Sequence, residues 1–431
     1  MSDLAAEVLE ALAADPGSLA EVYLKRGRAR RGSGGAQGGE VTLAEERGWA
    51  VRAGDERGSL FAAGTGVPVP GGPWPERDGP GLRLPEPGAP ARWRPPADLE
   101  APLAGERDSL ALLEDIERRM RERLPGSRLL EGELEDGSSR ATVANSLGVR
   151  AEVRRRVARL RLGVAGPGPS AATASLELAE REPQRFSPGA VAAQAAERLI
   201  ARGGRPVAVD RGELLLDPAI GAAVLAALAP LLLGRGGVAL ARQLRDRRGR
   251  IGSAALTVVD DGRLPAGLLT APVDGEGTPT REVPLVEAGR YRQPLLAWWQ
   301  GGGLRARTSG CVARPGWRDL PRPAPTHLFL RPDPAVGAAQ LAASVGRGYR
   351  LVDTLGPARF DFDADRLAMP VCGFAIRGGK TAEPIAGSWL CGGIAALLQG
   401  IRTVADDLTF LPLGGLIGSP SLLVGGLELR G

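Results

Sequence analysis

Four strand-like runs, Arg128 to Glu135, Arg140 to Asn145, Val149 to Leu162 and Ala172 to Glu180, follow one another with only short Gly, Ser or Asn turns between them. Parallel strands need a crossover of a dozen or more residues, so runs joined this closely can pair only as antiparallel neighbours. The pattern predicts an antiparallel meander and excludes a repeated strand–helix–strand fold. No Gly-rich phosphate loop of either nucleotide-binding kind and no internal repeat of fixed period accompanies it.

Helical and extended segments flank the meander. Leu4, Val8, Leu9 and Leu12 lie at helical spacing, and Asp15-Pro16-Gly17 stops that helix before strands over Glu21 to Arg30 and Glu40 to Ala53. Residues 67–97 are dense in Pro and Gly, which remove backbone donors and regular dihedrals, and read as an exposed loop. Glu106 to Leu124 repeats apolar residues at helical intervals, and Ser187-Pro188 reads as an N-cap with Pro at the first helical position of a helix to about Ala201. Gly203-Gly204 then marks a domain boundary. At 431 residues the chain suits two cores. The expectation is an α+β protein with an N-terminal helix-and-sheet domain, 1–203, followed by a mainly antiparallel β-rich C-terminal domain, 204–431. Helices are expected in the latter at Pro218 to Leu233, Pro334 to Val345 and Cys391 to Gln399.

Composition narrows the function classes. Hydrophobic residues make up 43% and charged residues 24%, the balance of a globular chain. The net charge is +5, and the basic residues are nearly all Arg, Lys25 and Lys380 being the only lysines. Without a basic-aromatic motif this gives no nucleic-acid surface. Cys311, Cys372 and Cys391 are too few and too scattered for a disulfide framework, which fits a cytoplasmic location. The acidic N-terminal residues Asp3, Glu7 and Glu10 do not suit a secretion signal, and the longest apolar stretch, Ile220 to Leu233, falls short of a membrane span.

Four segments follow in order along the chain: Glu46 to Arg52 with the small-residue stretch Gly58 to Gly66; the turn Ala144-Asn145-Ser146-Leu147-Gly148-Val149; Ile251 to Thr280, which contains the paired Asp260-Asp261 and the turn Asp274-Gly275-Glu276-Gly277-Thr278-Pro279; and Pro420 to Leu429 at the end. Together they resemble the TldD/TldE (PmbA) family, over nearly the full length. The resemblance implies a zinc peptidase built from two subunits around a cavity, in which the active subunit carries His-Glu-x-x-x-His on a helix and a Cys ligand near its C-terminus. The corresponding helix here, Val224 to Leu233, has no ligand, and Leu416 to Pro420 has no Cys. With His327 as the single histidine, no two-His zinc site can be assembled from this sequence.

The resemblance therefore implies a TldE-like, non-catalytic subunit with no catalytic and no metal-ligating residue of its own. Zinc would sit in a TldD-like partner, the substrate would be a short or unfolded peptide, and a homodimer could form where the partner is lacking. Asp260, Asp261, Asp274, Glu276, Gly277, Asn145 and Ser146 are the family-motif positions given a structural or cavity role. The four carboxylates offer the oxygen ligands a hard cation prefers, but Asp-Gly and Asp-x-Glu-Gly turns more commonly accept backbone N–H groups. Asp353 in Asp353-Thr354-Leu355-Gly356 superficially resembles an aspartic-peptidase loop without a second copy, and is expected in a turn or at the surface. His327 reads as a hydrogen-bonded structural residue and Cys311 as a small buried filler. The arginines 150, 154, 155, 156, 159 and 161 are expected on a solvated sheet face, with a partner or acidic-peptide surface as the lesser alternative. Two other functions stay open: a self-associating peptide-binding scaffold, and an independent hydrolase built on Cys311.

Overall fold

The computed structural model describes residues 2–431 apart from 14–16, 36–37, 73, 89–94, 97–98, 100, 169–170, 244–248 and 301–309. Asp15-Pro16, parts of the 67–97 loop and Thr308-Ser309 thus lie outside the described residues. The N-terminal elements are α1 (Ser2–Leu12), β1 (Leu19–Gly35), β2 (Gly38–Gly54), β3 (Ser59–Thr65), α2 (Glu106–Arg123), β4 (Arg128–Asn145), β5 (Arg150–Ala165), β6 (Thr173–Glu180) and α3 (Pro188–Arg202). The strands form one sheet in the order β3-β2-β1-β4-β5-β6, every neighbour antiparallel.

Alternation of side chains along each strand divides this sheet into two faces with different partners. One face buries Leu134, Leu160 and Leu162 against Leu113, Ile116 and Met120 of α2 and Ala192 and Leu199 of α3. Val22, Leu24 and Val51 meet Val8 and Leu9 of α1 on the same side. Each fully buried Leu or Ile there contributes roughly 2 kcal/mol. The opposite face carries Tyr23, Ala50 and Val143, which pack on Trp317 of the C-terminal half.

The C-terminal half opens with β7 (Glu213–Leu216), α4 (Pro218–Leu228), α5 (Gly234–Gln243), β8 (Val258–Asp261) and β9 (Glu282–Glu287). One sheet joins β9 and β8 to Arg290–Tyr291, His327–Leu330, Leu416–Ser419 and Thr409–Pro412. A second runs Ile401–Val404, Leu422–Val424, β7, Arg347–Thr354, Arg366–Arg377, Lys380–Gly392 and Glu428–Arg430. Two pairs are parallel, β7 with Arg347–Thr354 and His327–Leu330 with Leu416–Ser419. The remaining pairs are antiparallel, so the protein is α+β with a β-rich C-terminal region. Helix α4 contacts strands of both sheets, and its Ile220, Val224, Leu225 and Leu228 are buried in their common core.

Several expectations change. Arg128 to Asn145 is one strand, because Gly137 to Ser139 pair with β1 on one side and β5 on the other, leaving no room for a turn. The small-residue stretch Gly58 to Gly66 is mostly strand β3, paired with β2. The helix from Pro218 ends at Leu228, followed by a single 3-10 turn at Ala229–Leu231 that contains Pro230. The helix expected from Pro334 spans only Ala338–Ser344, and Cys391 belongs to a strand, the last helix being Ile394–Gly400. Helix α5 was not anticipated.

Charged residues depart from expectation too. Asp353 is neither in a turn nor at the surface: it lies buried in the strand Arg347–Thr354 and binds Arg202 of α3, with Nη2 to Oδ2 at 2.8 Å. The arginines of β5 do not share a solvated face. Arg156 is buried on Asp136, whose carboxylate also accepts the Ala104 N–H at 2.7 Å, while Arg161 pairs with Glu177 at 3.3 Å. Consecutive residues of a strand point to opposite faces, so a run of arginines is split by the fold.

Candidate functional site

The turn Asp274 to Pro279 is built by its own first carboxylate. Asp274 Oδ1 accepts the N–H groups of Glu276 (2.9 Å) and Thr278 (3.0 Å), and Oδ2 accepts that of Val312 (3.0 Å). Burial nevertheless pushes its pKa up to about 7. Gly277 completes the turn with φ +83°, a left-handed conformation that favours glycine, and a Cβ there would lie 2.4 Å from Val149 Cγ1. The turn thus presses directly on the β4–β5 hairpin.

That hairpin is the Asn145-Ser146 motif. Asn145 Oδ1 accepts the N–H groups of Leu147 and Val149 at 3.0 Å each, while its Nδ2 donates to Pro85 O at 2.8 Å. Ser146 Oγ accepts the Ala20 N–H at 3.0 Å. Five of the seven motif residues, Asn145, Ser146, Asp274, Glu276 and Gly277, are therefore brought together where the N-terminal sheet meets the C-terminal half.

Glu276 carries the charge into that junction. It is fully buried, accepts Trp298 Nε1–H at 3.0 Å and pairs with Arg52 of β2. Arg52 also donates to Glu21 of β1, from Nε at 3.0 Å and Nη2 at 2.7 Å, the two residues being cross-strand partners. Arg314 closes the group: it pairs with Glu21, donates from Nε to Gly275 O at 3.0 Å and lies over the Tyr23 ring at 4.7 Å. Burial pushes the pKa of Glu21 upward, but Arg314 and Arg52 outweigh it and hold Glu21 below the ordinary carboxylate value. Glu276 is shifted upward, by burial first and by Glu21 as well. Two carboxylates and two guanidiniums so interlocked suit a charge-balanced clamp, in which the buried Arg314 Nη1 is left without a hydrogen bond. Sequence reasoning missed Glu21, Arg52 and Arg314; the one available signal was an acid, Glu21, within an otherwise apolar strand start.

Asp260 and Asp261 lie apart from this clamp, at the end of β8. Asp260 accepts the Thr326 N–H at 2.8 Å, and burial drives its pKa up to about 7. Asp261 Oδ1 accepts the Arg263 N–H at 2.8 Å. His327 Nδ1 lies 2.8 Å from Asp261 O and its Nε2 accepts the Leu269 N–H at 3.1 Å, which fixes a neutral ring with both nitrogens engaged. Burial lowers its pKa to about 4. Cys311 is buried within the apolar core and presents no exposed thiol.

The chemistry of α4 does not fit a zinc ion. Its inner face consists of Ile220, Val224, Leu225 and Leu228, none of which can coordinate a metal. Among the described residues no group of three or more His, Cys, Asp or Glu is placed to hold one. Beside α4 instead lies a cavity of about 720 Å³ walled by Leu225, Leu228, Ile251 and Leu397. Among the described residues no helix is long and apolar enough to cross a membrane.

These features define an α+β chain whose helix α4 carries no metal-ligating side chain. Residues 210–431 match the family model for the PmbA/TldA metallopeptidase C-terminal domain, more than half of the chain, and the protein belongs to the TldD/TldE (PmbA) family. A metalloprotease TldD homolog of Buchnera aphidicola is 24% identical over 199 residues, 42% of this chain and only 40% of that relative's length. TldE from Thermococcus kodakarensis has the same fold, with a TM-score of 0.86 and 18% identity over 100% of both chains. So has a candidate DNA gyrase modulator from Thermotoga maritima, at 0.81 and 17%, again over 100% of both.

Proposed function

We propose that this chain is the non-catalytic subunit of a heterodimeric TldD/TldE-type zinc peptidase acting on short or unfolded peptides. The observation that carries the proposal is the apolar α4, together with a sole histidine whose two nitrogens are already bound. A metallopeptidase needs a Lewis acid to polarise the scissile carbonyl and a metal-bound water to attack it, and the described residues hold no group of three or more His, Cys, Asp or Glu placed to bind such a metal. The zinc and general base then belong to a TldD-like partner carrying His-Glu-x-x-x-His. This chain's part is to close the chamber and limit entry to unstructured peptides, a task of shape.

Within that proposal the chain consists of two domains meeting at Gly203-Gly204, and the buried clamp of Glu21, Arg52, Glu276 and Arg314 holds the C-terminal turn against the N-terminal sheet. Asn145, Ser146, Asp274 and Gly277 shape the junction; Asp260 and Asp261 brace the strand beside His327. The complex would work in the cytoplasm, where its partner's thiol ligand stays reduced. The test is co-purification with such a partner, then peptide hydrolysis by each chain alone and by the mixture, with and without chelator. Chelator-sensitive cleavage by the mixture alone is expected. Chelator-resistant cleavage by this chain alone would overturn the proposal, and failure to associate would favour a self-associating scaffold.

A further inference from the structure

A second cavity, of about 420 Å³, lies on the face of the N-terminal sheet turned toward the C-terminal half. Its floor follows from the strand register. Arg155 stands opposite Ser139, Ser139 opposite Gly27, and Gly27 opposite Glu46. In the adjoining row Gly137 stands opposite Ala29. Side chains this small leave a trough across the middle strands, roofed by Leu269, Gly275 and Val312 from the C-terminal half.

The charges around the trough do not balance. Each carboxylate on its wall is engaged: Glu45 with Arg28 at 3.1 Å, Glu46 with Lys25 at 3.1 Å, Glu135 with Arg31 at 2.7 Å, and Asp274 with three backbone N–H groups. Arg314 is held by Glu21. Arg155 and Arg159 also line the cavity, and neither has a carboxylate or hydrogen-bond partner among the described residues. They share one face of β5, Arg155 half-buried and Arg159 exposed at the rim. The Tyr23 phenol lines the same cavity, and its hydroxyl makes no hydrogen bond with the described residues. Burial lowers the Arg155 pKa, as expected for a guanidinium withdrawn from water without a counter-ion.

We infer that this cavity takes the carboxylate of a short peptide, with Arg155 forming a two-pronged pair to it and the Tyr23 hydroxyl donating beside it. Below the rim, Arg155 is the lining guanidinium without a carboxylate partner among the described residues, and one such charge suits a carboxylate better than a phosphate dianion. Val153 and Val157 on the same strand face give the adjoining residue an apolar wall. The volume falls within the range of small-ligand sites. That the carboxylate belongs to a peptide rests on the peptidase-subunit proposal above; that the ligand is a carboxylate does not.

The experiment is calorimetric titration of the full chain, without any partner, with trialanine, trialanine C-terminal amide and inorganic phosphate. The free acid should bind, and the amide should bind about tenfold more weakly or worse, the usual scale for losing a charge-assisted pair. Arg155→Gln should weaken the acid by about the same factor and leave the amide unchanged, while Arg155→Lys should fall between. Equal binding of acid and amide, no binding of the acid, tighter binding of phosphate, or an unaltered Arg155→Gln variant would each overturn the inference. Should Arg155→Gln not fold, the acid-to-amide comparison on the native chain still decides. Because no partner is present, a negative result here leaves the subunit proposal standing, and an inactive mixture of subunits leaves this site standing.

Discussion

Glu276→Gln removes one of two negative charges from a buried group of four, leaving Glu21 alone against Arg52 and Arg314. The substitution keeps shape and an acceptor for Trp298 Nε1–H, so the perturbation is almost purely one of charge. Glu276 is 0% exposed and Arg52 12%, so solvent screens the loss little. Breaking a buried pair by removing one partner costs about 3–5 kcal/mol, and the lower end applies because Arg52 retains Glu21. Set against a total stability of about 5–15 kcal/mol, this is a large fraction. Urea denaturation at neutral pH, followed by circular dichroism and tryptophan fluorescence, should show the midpoint falling accordingly. Glu276→Gln combined with Arg52→Met restores one charge of each sign, so the double variant should lose clearly less than the sum of the single losses. A cost for Glu276→Gln below about 1 kcal/mol, the range of an exposed pair, would refute the buried clamp. Strict additivity of the two changes would do the same.

Three further outcomes are expected. Gly277→Ala meets both a positive φ and Val149 Cγ1 at 2.4 Å, so it should destabilise by roughly 2–4 kcal/mol from backbone strain and overpacking; a neutral effect on the urea midpoint would show that the turn does not press on the hairpin. His327 has a pKa lowered to about 4, so as pH falls from about 6.5 to 4 the unfolded chain gains a proton that the fold refuses, and stability is lost by up to about 3 kcal/mol. Asp260 and Asp274, raised to about 7, act in the opposite sense, favouring the fold at low pH and losing that contribution as pH rises toward 7. The histidine is therefore isolated by comparing the native chain with His327→Gln: the stability difference should shift against the native chain on acidification, and a pH-independent difference would contradict the buried neutral ring. Elemental analysis of the purified chain after dialysis against a weak chelator should find no stoichiometric zinc, one zinc per chain being the contrary result.

How far the sequence reaches depends on the range of the interaction. Local signals succeeded where the answer was local: α2 begins at Glu106 as its apolar spacing predicts, and Ser187 with Pro188 opens α3, Ser187 Oγ accepting the Ala190 N–H at 3.4 Å. The same signals failed where long-range pairing overrode them. Asp136-Gly137-Ser138-Ser139 reads as a turn, yet strand neighbours on both sides and the buried Arg156 keep it extended. Asp353 looks like a surface residue until Arg202 of α3, 151 positions away, is placed upon it.

The sequence by itself determined that the chain pairs its N-terminal strands as an antiparallel sheet, that it resembles the TldD/TldE family, and that one histidine cannot make a two-His zinc site. These follow from turn length, from ordered motifs and from counting, none of which needs a third dimension. Only the tertiary structure decided that Glu21, Arg52, Glu276 and Arg314 form one buried clamp, and that Arg155 faces a trough while its neighbour Arg156 is locked on Asp136. Glu21 and Arg314 are 293 residues apart in the chain, and adjacent arginines differ only in which face of a sheet they meet. Burial and partnership are set by what the opposite layer brings to each face, and that layer is assembled from segments whose sequence carries no mark of one another.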